Sequence, residues 1–192
     1  APAGVDTLVK AGHSVFIETN AGLESHFTDE SYRRVGANIV YSAEEVYQRA
    51  EMIVKIAPFS EIEVDLVQDE QIIFSFLHLA VGKKNIIEKL LAKKNIAIAY
   101  ELIEKGEHLP ILQSMSEIAG QLAVQEGERF LCSDVPNSRG ILMGGITGVA
   151  PAAVVILGAG VVGFTAARAA YARGAHVIVL DKDLRRLRRI ET

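Results

Sequence analysis

The sequence contains very little cysteine and no long apolar run. Its single cysteine, Cys132, cannot form a disulfide within the chain, so the fold does not depend on an oxidising compartment. No stretch approaches the roughly 18 consecutive apolar residues that a membrane-spanning helix needs. The start of the chain, from Ala1 to Gly4, also lacks the charged and apolar regions of a signal peptide. These absences favour a cytoplasmic location.

Positive charge is not in excess either, because 24 Asp and Glu residues outnumber 20 Lys and Arg residues and give a net charge of −4. Such a chain lacks the basic surface with which proteins bind nucleic acid or acidic membranes. Apolar residues make up 49% of the sequence and charged residues 23%, which leaves enough apolar material for a hydrophobic core. We expect a globular protein with no nucleic-acid partner, no membrane partner and no metal site.

Short β-rich runs alternate with helical patterns through residue 110. The apolar runs at 15–17, 52–54, 72–76 and 96–99 predict buried strands, and the patterns at 6–11, 29–35, 43–49 and 85–93 predict helices. Thr28 is well placed to cap the second of these helices. Strands that alternate with helices predict an α/β fold whose parallel sheet is covered on both faces.

The pattern changes near residue 112, where Ser114-Met115-Ser116-Glu117 has the spacing of a capping box. With Ser114 as N-cap, a helix is predicted over 115–130, and the polar stretch at 133–140 has the composition of a linker. We therefore predict two domains with parallel sheets. A substrate domain spans 1–113, an interdomain helix spans 114–131, and the first part of a Rossmann dinucleotide-binding domain spans 132–192.

A glycine-rich turn in the second domain has the spacing of a dinucleotide-binding site. It reads Gly158-Ala159-Gly160-Val161-Val162-Gly163, follows an apolar run at 154–157 and begins a helical pattern. Gly158 would permit the tight turn, Gly160 would let the backbone approach a pyrophosphate, and Gly163 would let helix and strand pack closely. The helix N-terminus would then face the phosphates. The alternative is a turn whose glycines serve packing only.

An acidic residue ends the next predicted strand. Asp181 follows the apolar run at 176–180 and lies 18 residues after Gly163, where a carboxylate can accept hydrogen bonds from the ribose hydroxyls. A 2′-phosphate would meet this carboxylate at close range, so Asp181 favours NAD over NADP. Arg185 or Arg186 could balance such a phosphate and weakens the preference slightly.

Two residues with acid/base or cationic side chains end predicted strands of the first domain. Lys55 follows the run at 52–54 and His78 follows the run at 72–76, which places both at the edge where open α/β sheets bind their ligands. The lysine supplies a positive charge for a carboxylate, and the histidine can move a proton near neutral pH. From the pattern alone, Lys55 is equally a solvated strand-end charge and His78 a hydrogen-bonded buried imidazole.

These motifs together resemble the alanine dehydrogenase family over nearly the whole chain. The matching segments are Pro2-Ala3-Gly4-Val5, 52–55, Phe76-Leu77-His78-Leu79-Ala80, Met115-Ser116-Glu117-Ile118-Ala119-Gly120, and 158–163 with Asp181. The resemblance implies that Lys55 holds the substrate carboxylate or carbonyl and that His78 acts as acid/base. It also implies that Met115 borders the substrate and Ser116 contacts the nucleotide. Asp181 would bind the adenosine ribose, with Arg186 nearby.

The resemblance implies reversible, NAD-dependent oxidative deamination of L-alanine to pyruvate and ammonium by a homo-oligomer, a hexamer in many members of the family. Two other functions stay open. One is the nucleotide-binding subunit of a transhydrogenase-like protein, a relative that typically lacks the histidine at position 78. The other is an inactive fragment that only binds nucleotide.

The sequence departs from the family at Ile56-Ala57-Pro58, where charged residues usually precede the proline, and at Gln121, where arginine is common. The family's N-terminal arginine and its late catalytic aspartate have no counterpart in these 192 residues. We therefore expect an incomplete Rossmann domain and a segment that is inactive alone.

Overall fold

The computed structural model of this chain describes residues 1–106, 108–134 and 136–190. They divide into two compact units, Ala1–Leu102 and Ile103–Thr192. Each unit contains parallel strands and helices, which confirms the α/β fold expected from the sequence. Within these described ranges, no helix has both the length and the apolar character needed to cross a membrane.

Parallel strands of the first unit form two sheets. Its helices are α1 (Pro2–Lys10), α2 (Asp29–Arg33), α3 (Ala43–Arg49), α4 (Glu61–Leu66) and α5 (Lys84–Ala92). Its strands are β1 (Phe16–Glu18), β2 (Asn38–Val40), β3 (Met52–Val54), β4 (Ile72–Ser75) and β5 (Ile96–Ala99). Strand β1 pairs with β2, and β3, β4 and β5 form a three-stranded sheet in that order. A helix joins each pair of neighbouring strands, because parallel pairing needs a crossover.

The main core of the first unit surrounds the middle of strands β3 and β4. Ile53 and Ile73 are central residues of these strands and are almost fully buried. Side chains of helices α3, α4 and α5 cover them, among them Tyr47, Val64 and Leu90. The adjacent strand residues point the other way, as the period of two requires: Met52 and Val54 of β3 are exposed, whereas Ile72 and Phe74 of β4 are partly buried. The helices of this core cover one face of the sheet, and coverage of the other face stays a prediction.

The predicted elements of the first unit are mostly confirmed. Strands β3 and β5 and helix α3 have the predicted bounds, and Thr28 caps α2 by accepting a hydrogen bond from the backbone N–H of Ser31. Two elements were missed. Strand β2 is only three residues long and begins with asparagine, so its apolar signal is weak. Helix α4 had a usable signal, because Ser60 and Glu63 form a capping box at its start.

The second unit contains the glycine turn between a strand and a helix. Its helices are α6 (Pro110–Leu131), α7 (Val161–Ala172) and α8 (Leu184–Arg188), and its strands are β6 (Ala153–Leu157) and β7 (His176–Leu180). The two strands are parallel neighbours. Helices α6 and α7 approach closely because small residues line their contact. A Cβ on Gly120 of α6 would lie 2.6 Å from the carbonyl oxygen of Val162.

Helix α6 begins earlier than predicted. Ser114 is not its N-cap, because the helix starts at Pro110 and the Ser114 hydroxyl donates a hydrogen bond to the Pro110 carbonyl. Proline is favoured in the first helical turn because its missing N–H is not needed there. Pro110, and not the capping-box spacing of Ser114 and Glu117, therefore marks the start of this helix. The compact units divide after Leu102, and the assignment of 1–113, 114–131 and 132–192 to three functional parts stays a prediction.

Candidate functional site

The glycine turn of the second unit has a backbone that only glycine adopts easily. Gly158 has φ +106°, and its N–H donates a hydrogen bond to the carbonyl of Leu180 at the end of β7. A Cβ on Gly163 would overlap the carbonyl oxygen of Gly158. These two glycines therefore have the steric roles that the sequence predicts, a tight turn and close packing of helix on strand.

Gly160 faces open space, unlike Gly163, and has a negative φ of −70°, unlike Gly158, so neither close packing nor backbone conformation within this chain requires a glycine there. A Cβ built on it would meet one described neighbour, the Nη1 atom of Arg186, at 3.9 Å. Gly160 is the N-cap of α7 and brings no side chain to cap the first N–H groups of that helix. The turn thus leaves room for an anion at a helix N-terminus, which is what a pyrophosphate needs.

The carboxylate of Asp181 lies directly beside this turn. Its Oδ2 atom accepts a hydrogen bond from the N–H of Ala159 at 2.6 Å, and its Oδ1 atom accepts one from the N–H of Asp183 at 2.7 Å. The hydrogen bonds from Asp183 and Ala159 lower the pKa of Asp181, and the charge of Arg186 adds to them. The residue is therefore ionised at neutral pH.

A cavity of about 950 Å³ adjoins the turn, within the size range of small-molecule sites. Helices α6, α7 and α8 contribute to its lining, which includes Gly160, Val161 and Arg186. A second cavity of about 650 Å³ runs along β6 and is lined by Ser116, Gly158, Val162 and Gly163. Met115, the neighbour of Ser116 on α6, is partly exposed. The predicted nucleotide-binding residues are thus divided between these two cavities, except Asp181, which lines neither and adjoins the turn through its hydrogen bond from Ala159.

In the first unit, Lys55 follows β3 and its ammonium group has several partners. It forms an ion pair with the carboxylate of Glu63, donates to the carbonyl of Pro58 at 3.3 Å, and lies 4.9 Å from the centre of the Phe59 ring. Only 20% of the side chain is exposed. Lys55 is therefore a largely buried cation in an ion pair, and not the solvated strand-end charge that the pattern alone permitted.

Glu63 was missed in the sequence analysis. It lies at the start of α4, where its other carboxylate oxygen accepts from the N–H of Ser60. Burial raises the pKa of Glu63, but the hydrogen bonds from Lys55 and from Ser60 outweigh burial and lower it overall. The capping-box spacing of Ser60 and Glu63 could have revealed the helix, although not the contact with the lysine.

His78 lies in the turn after β4 and is half exposed, with 49% of its side chain accessible. The structure therefore excludes the alternative of a buried imidazole. Its ring stacks on Phe76 with 5.8 Å between ring centres and 17° between planes. Its Nδ1 atom lies 3.8 Å from the Oε1 atom of Glu101, and its backbone has φ +47°.

Glu101 was also missed, although it follows strand β5 as His78 follows β4. Its carboxylate accepts hydrogen bonds from the N–H of His78 at 2.6 Å and from the N–H of Leu77 at 3.3 Å. Strands β3, β4 and β5 are parallel neighbours in register, so their carboxyl ends meet at one edge of the sheet. Lys55, His78 and Glu101 therefore share that edge. Among the described residues, no group of three or more His, Cys, Asp or Glu side chains is arranged to hold a metal ion.

Comparison with known proteins gives matches along both units. Residues 1–119 match the family model described as "Alanine dehydrogenase/PNT, N-terminal domain", and residues 123–192 match "Alanine dehydrogenase/PNT, C-terminal domain". Among curated relatives, an alanine dehydrogenase of Methanococcus maripaludis is 46% identical over 187 residues, which cover 97% of this chain and 50% of the relative. An alanine dehydrogenase of Mycolicibacterium smegmatis is 42% identical over 191 residues, which cover 99% of this chain and 51% of the relative.

Solved structures agree with the sequence matches. An L-alanine dehydrogenase superimposes with a TM-score of 0.91 at 45% identity, over 100% of this chain and 52% of its own length. A transhydrogenase from Sinorhizobium meliloti superimposes with a TM-score of 0.80 at 22% identity, covering 100% of this chain and 56% of its own, and so shares the fold. The chain spans about half the length of the curated relatives it matches. On the extent and identity of these matches, the chain belongs to the alanine dehydrogenase/PNT family.

Proposed function

We propose that the protein to which this chain belongs catalyses NAD-dependent oxidative deamination of L-alanine, and the reverse amination of pyruvate. The balanced reaction converts L-alanine, NAD⁺ and water into pyruvate, NADH, ammonium and a proton. One observation carries the proposal: an ion-paired lysine and a half-exposed histidine lie at the carboxyl edge of one sheet, in a chain whose second unit has a dinucleotide turn. The transhydrogenase-like alternative accounts for the glycine turn but assigns no chemical role to His78.

The second unit fits NAD by its shape and its charge. Gly160 leaves the space that a pyrophosphate needs, and Asp181 presents an ionised carboxylate beside the same turn. A carboxylate at that position favours two ribose hydroxyls over a 2′-phosphate. Ser116, Val161, Val162 and Arg186 complete the proposed contacts. When bound, NAD supplies the hydride acceptor for the reaction.

In the proposed mechanism, Lys55 holds the substrate and polarises its developing carbonyl. A lysine ammonium has three N–H donors, and two of them are directed to Glu63 and Pro58. The third remains for the carboxylate or carbonyl oxygen of the substrate. Because Glu63 and Pro58 fix the ammonium group, the substrate meets a cation whose position is already set, which lowers the entropic cost of binding. Met115 would border the substrate.

His78 moves the proton while water adds to the imine carbon of oxidised alanine. The imidazole accepts one proton from the water as the new C–O bond forms and returns it to the amine nitrogen. As the C–N bond breaks and the carbonyl forms, the remaining hydroxyl proton passes to the departing nitrogen, which leaves as ammonium. Half exposure leaves the ring accessible to water and substrate, and stacking on Phe76 restricts its orientation. An imidazole suits this exchange because it changes charge near neutral pH.

The test is steady-state kinetics on a full-length protein that carries this segment, with NADH binding measured in parallel. His78→Ala should lower turnover roughly 10²-fold or more, with little change in NADH affinity. Lys55→Ala should raise the KM for alanine and lower turnover together. His13→Ala and Lys84→Ala, which change exposed residues of the same unit, serve as matched controls. The proposal would be contradicted if adding alanine to the wild type and NAD gave no increase in NADH absorbance, or if His78→Ala had normal turnover.

The family relationship also supports a cytoplasmic homo-oligomer, with a hexamer as the expected assembly. Analytical ultracentrifugation of the full-length protein measures this directly. A monomer at micromolar concentration would contradict it.

A further inference from the structure

We propose that Glu101 is a positioning residue for His78, one that sets which imidazole nitrogen exchanges the proton. The proposal rests on the proposed role of His78 and adds a second residue to it. Two independent sets of contacts carry it. The Glu101 carboxylate binds the backbone of the turn that contains His78, and it also faces one nitrogen of the His78 ring.

The backbone contacts hold a conformation that a histidine rarely adopts. At φ +47°, His78 is in the left-handed region, which costs free energy for a residue with a Cβ and persists only where surrounding contacts enforce it. Here the N–H groups of Leu77 and His78 both donate to the Glu101 carboxylate, at 3.3 Å and 2.6 Å. Hydrogen bonds to an ionised acceptor are the stronger kind, so Glu101 fixes the turn.

The ring contacts distinguish the two imidazole nitrogens. Phe76 stacks on one face of the ring, and the Nδ1 atom lies 3.8 Å from the Oε1 atom of Glu101. That distance is an ion-pair contact, longer than a hydrogen bond, and it still favours a proton on Nδ1 over one on Nε2. Nε2 is then left as the unprotonated atom that can accept a proton from water.

Glu101 has the charge that this role requires. Only 14% of its side chain is exposed, and burial raises its pKa. The backbone N–H groups of Glu101 itself, His78 and Leu77 outweigh burial, the charge of His78 adds to them, and the pKa is lowered overall. Among the described residues, Glu101 is the titratable side chain for which the structure shows an ion-pair contact with His78.

The proton balance of the step is simple. As the water oxygen bonds to the imine carbon, one water proton moves to Nε2, and the ring becomes an imidazolium with protons on both nitrogens. The Glu101 carboxylate stabilises that cation without taking its proton. Nε2 then gives its proton to the amine nitrogen, which restores the neutral ring with its proton on Nδ1. As the C–N bond breaks and the carbonyl forms, the hydroxyl proton of the intermediate passes to the departing nitrogen, which leaves as ammonium.

The experiment has a spectroscopic part and a kinetic part. In this chain, the imidazole ¹⁵N NMR pattern of His78 above its titration range should show the proton on Nδ1, and Glu101→Gln should shift the pattern toward a mixture of the two forms. Glu88→Gln, which changes an exposed carboxylate on α5, should leave the pattern unchanged. A wild-type ring with its proton on Nε2 would overturn the proposal even if the variant failed to fold.

In the full-length enzyme, Glu101→Gln should lower turnover about tenfold or more while NADH affinity stays within about twofold. The pH–rate profile should also change, because the imidazolium formed during the reaction loses a neighbouring negative charge. A purely structural role would lower activity without moving the profile, and that result would overturn the proposal. If the wild type shows no alanine-dependent turnover, the proposed function fails, and the NMR pattern still decides whether Glu101 positions the ring.

Discussion

Gly163→Ala gives the sharpest test of the glycine turn, because it adds one methyl group where the structure has no space. A Cβ on Gly163 would approach the carbonyl oxygen of Gly158 closer than 3.0 Å, a distance that real Cβ atoms essentially never show. The obstructing atom belongs to the backbone, and the Cγ2 atom of Ile156 also lies close, 3.3 Å from the position of the added Cβ. Neither a rotamer change nor a small shift of one side chain can relieve the overlap.

The expected cost follows from two opposing effects. Overpacking of a tight site costs about 1–3 kcal/mol, and a clash with backbone belongs at the upper end of that range. Replacing glycine by alanine in a helix gains up to about 1 kcal/mol, because alanine loses less backbone entropy on folding. We therefore expect Gly163→Ala to lower the free energy of unfolding by about 2 kcal/mol, which corresponds to roughly a 30-fold change in the unfolding equilibrium.

The assay is urea unfolding of the chain followed by far-UV circular dichroism, with two matched glycine-to-alanine controls. Gly127→Ala lies in helix α6 with no atom within 4 Å of the new Cβ, so it should be neutral or stabilise by up to about 1 kcal/mol. Gly160→Ala meets only Arg186, at 3.9 Å, and should leave the free energy of unfolding within about 0.5 kcal/mol of the wild type.

The controls also separate packing from cofactor binding. In a full-length protein, Gly160→Ala should abolish or strongly weaken NADH binding although the fold is intact, since its methyl group occupies the space proposed for the pyrophosphate. Wild-type stability of Gly163→Ala would refute the steric argument. If Gly160→Ala instead bound NADH with wild-type affinity, the glycines of the turn would serve packing only.

Three further predictions concern stability, each measured by urea unfolding. Glu63→Gln should lower the free energy of unfolding by about 1 kcal/mol at pH 7, a figure that allows for the partial exposure of the ion pair. Because folding lowers the pKa of Glu63, its contribution is present above the unfolded value of 4.5 and should disappear as the pH falls below it. Gly120→Ala should cost about 1–3 kcal/mol, because its Cβ would lie 2.6 Å from the carbonyl oxygen of Val162. Burial raises the pKa of Tyr47, so the free energy of unfolding should fall as the pH rises above 10.0, where the tyrosine ionises in the unfolded chain first. Tyr47→Phe should remove that fall. Each prediction is wrong if variant and wild type have superimposable unfolding curves under the stated conditions.

The sequence predicts best where a local pattern and its structural context agree. Strands β3, β5 and β7 have the predicted bounds because each is an apolar run with clear boundary residues, and helix α3 has them because Ser42 caps its start. The glycine turn follows the same rule, since its spacing coincides with a strand before it and a helix after it. The placement of Lys55 and His78 at one sheet edge follows from the parallel order of β3 and β4.

The sequence predicts poorly where a side chain finds its partner through tertiary structure. Glu101 binds backbone groups 23 and 24 residues earlier in the chain, and no periodicity within either segment indicates that contact. Glu63 has a local role as part of a capping box, and its contact with Lys55 is additional to that role. Both missed residues are carboxylates that hold a predicted site residue. The sequence analysis predicts residues that carry the chemistry, and the structure adds the carboxylates that contact two of them.

Asp181 shows how the same distinction affects the interpretation of a mutation. The sequence assigns its carboxylate to the ribose alone, but both oxygens also accept backbone hydrogen bonds, from Ala159 inside the glycine turn and from Asp183 at the start of the next helix. Asp181→Gly would therefore remove the proposed ribose ligand and a support of the glycine turn together. Asp181→Asn keeps the shape and one acceptor oxygen while removing the charge that would repel a 2′-phosphate. Relaxed discrimination against NADP in Asp181→Asn would point to a direct role in cofactor choice, whereas a loss of affinity for both cofactors would point to the turn.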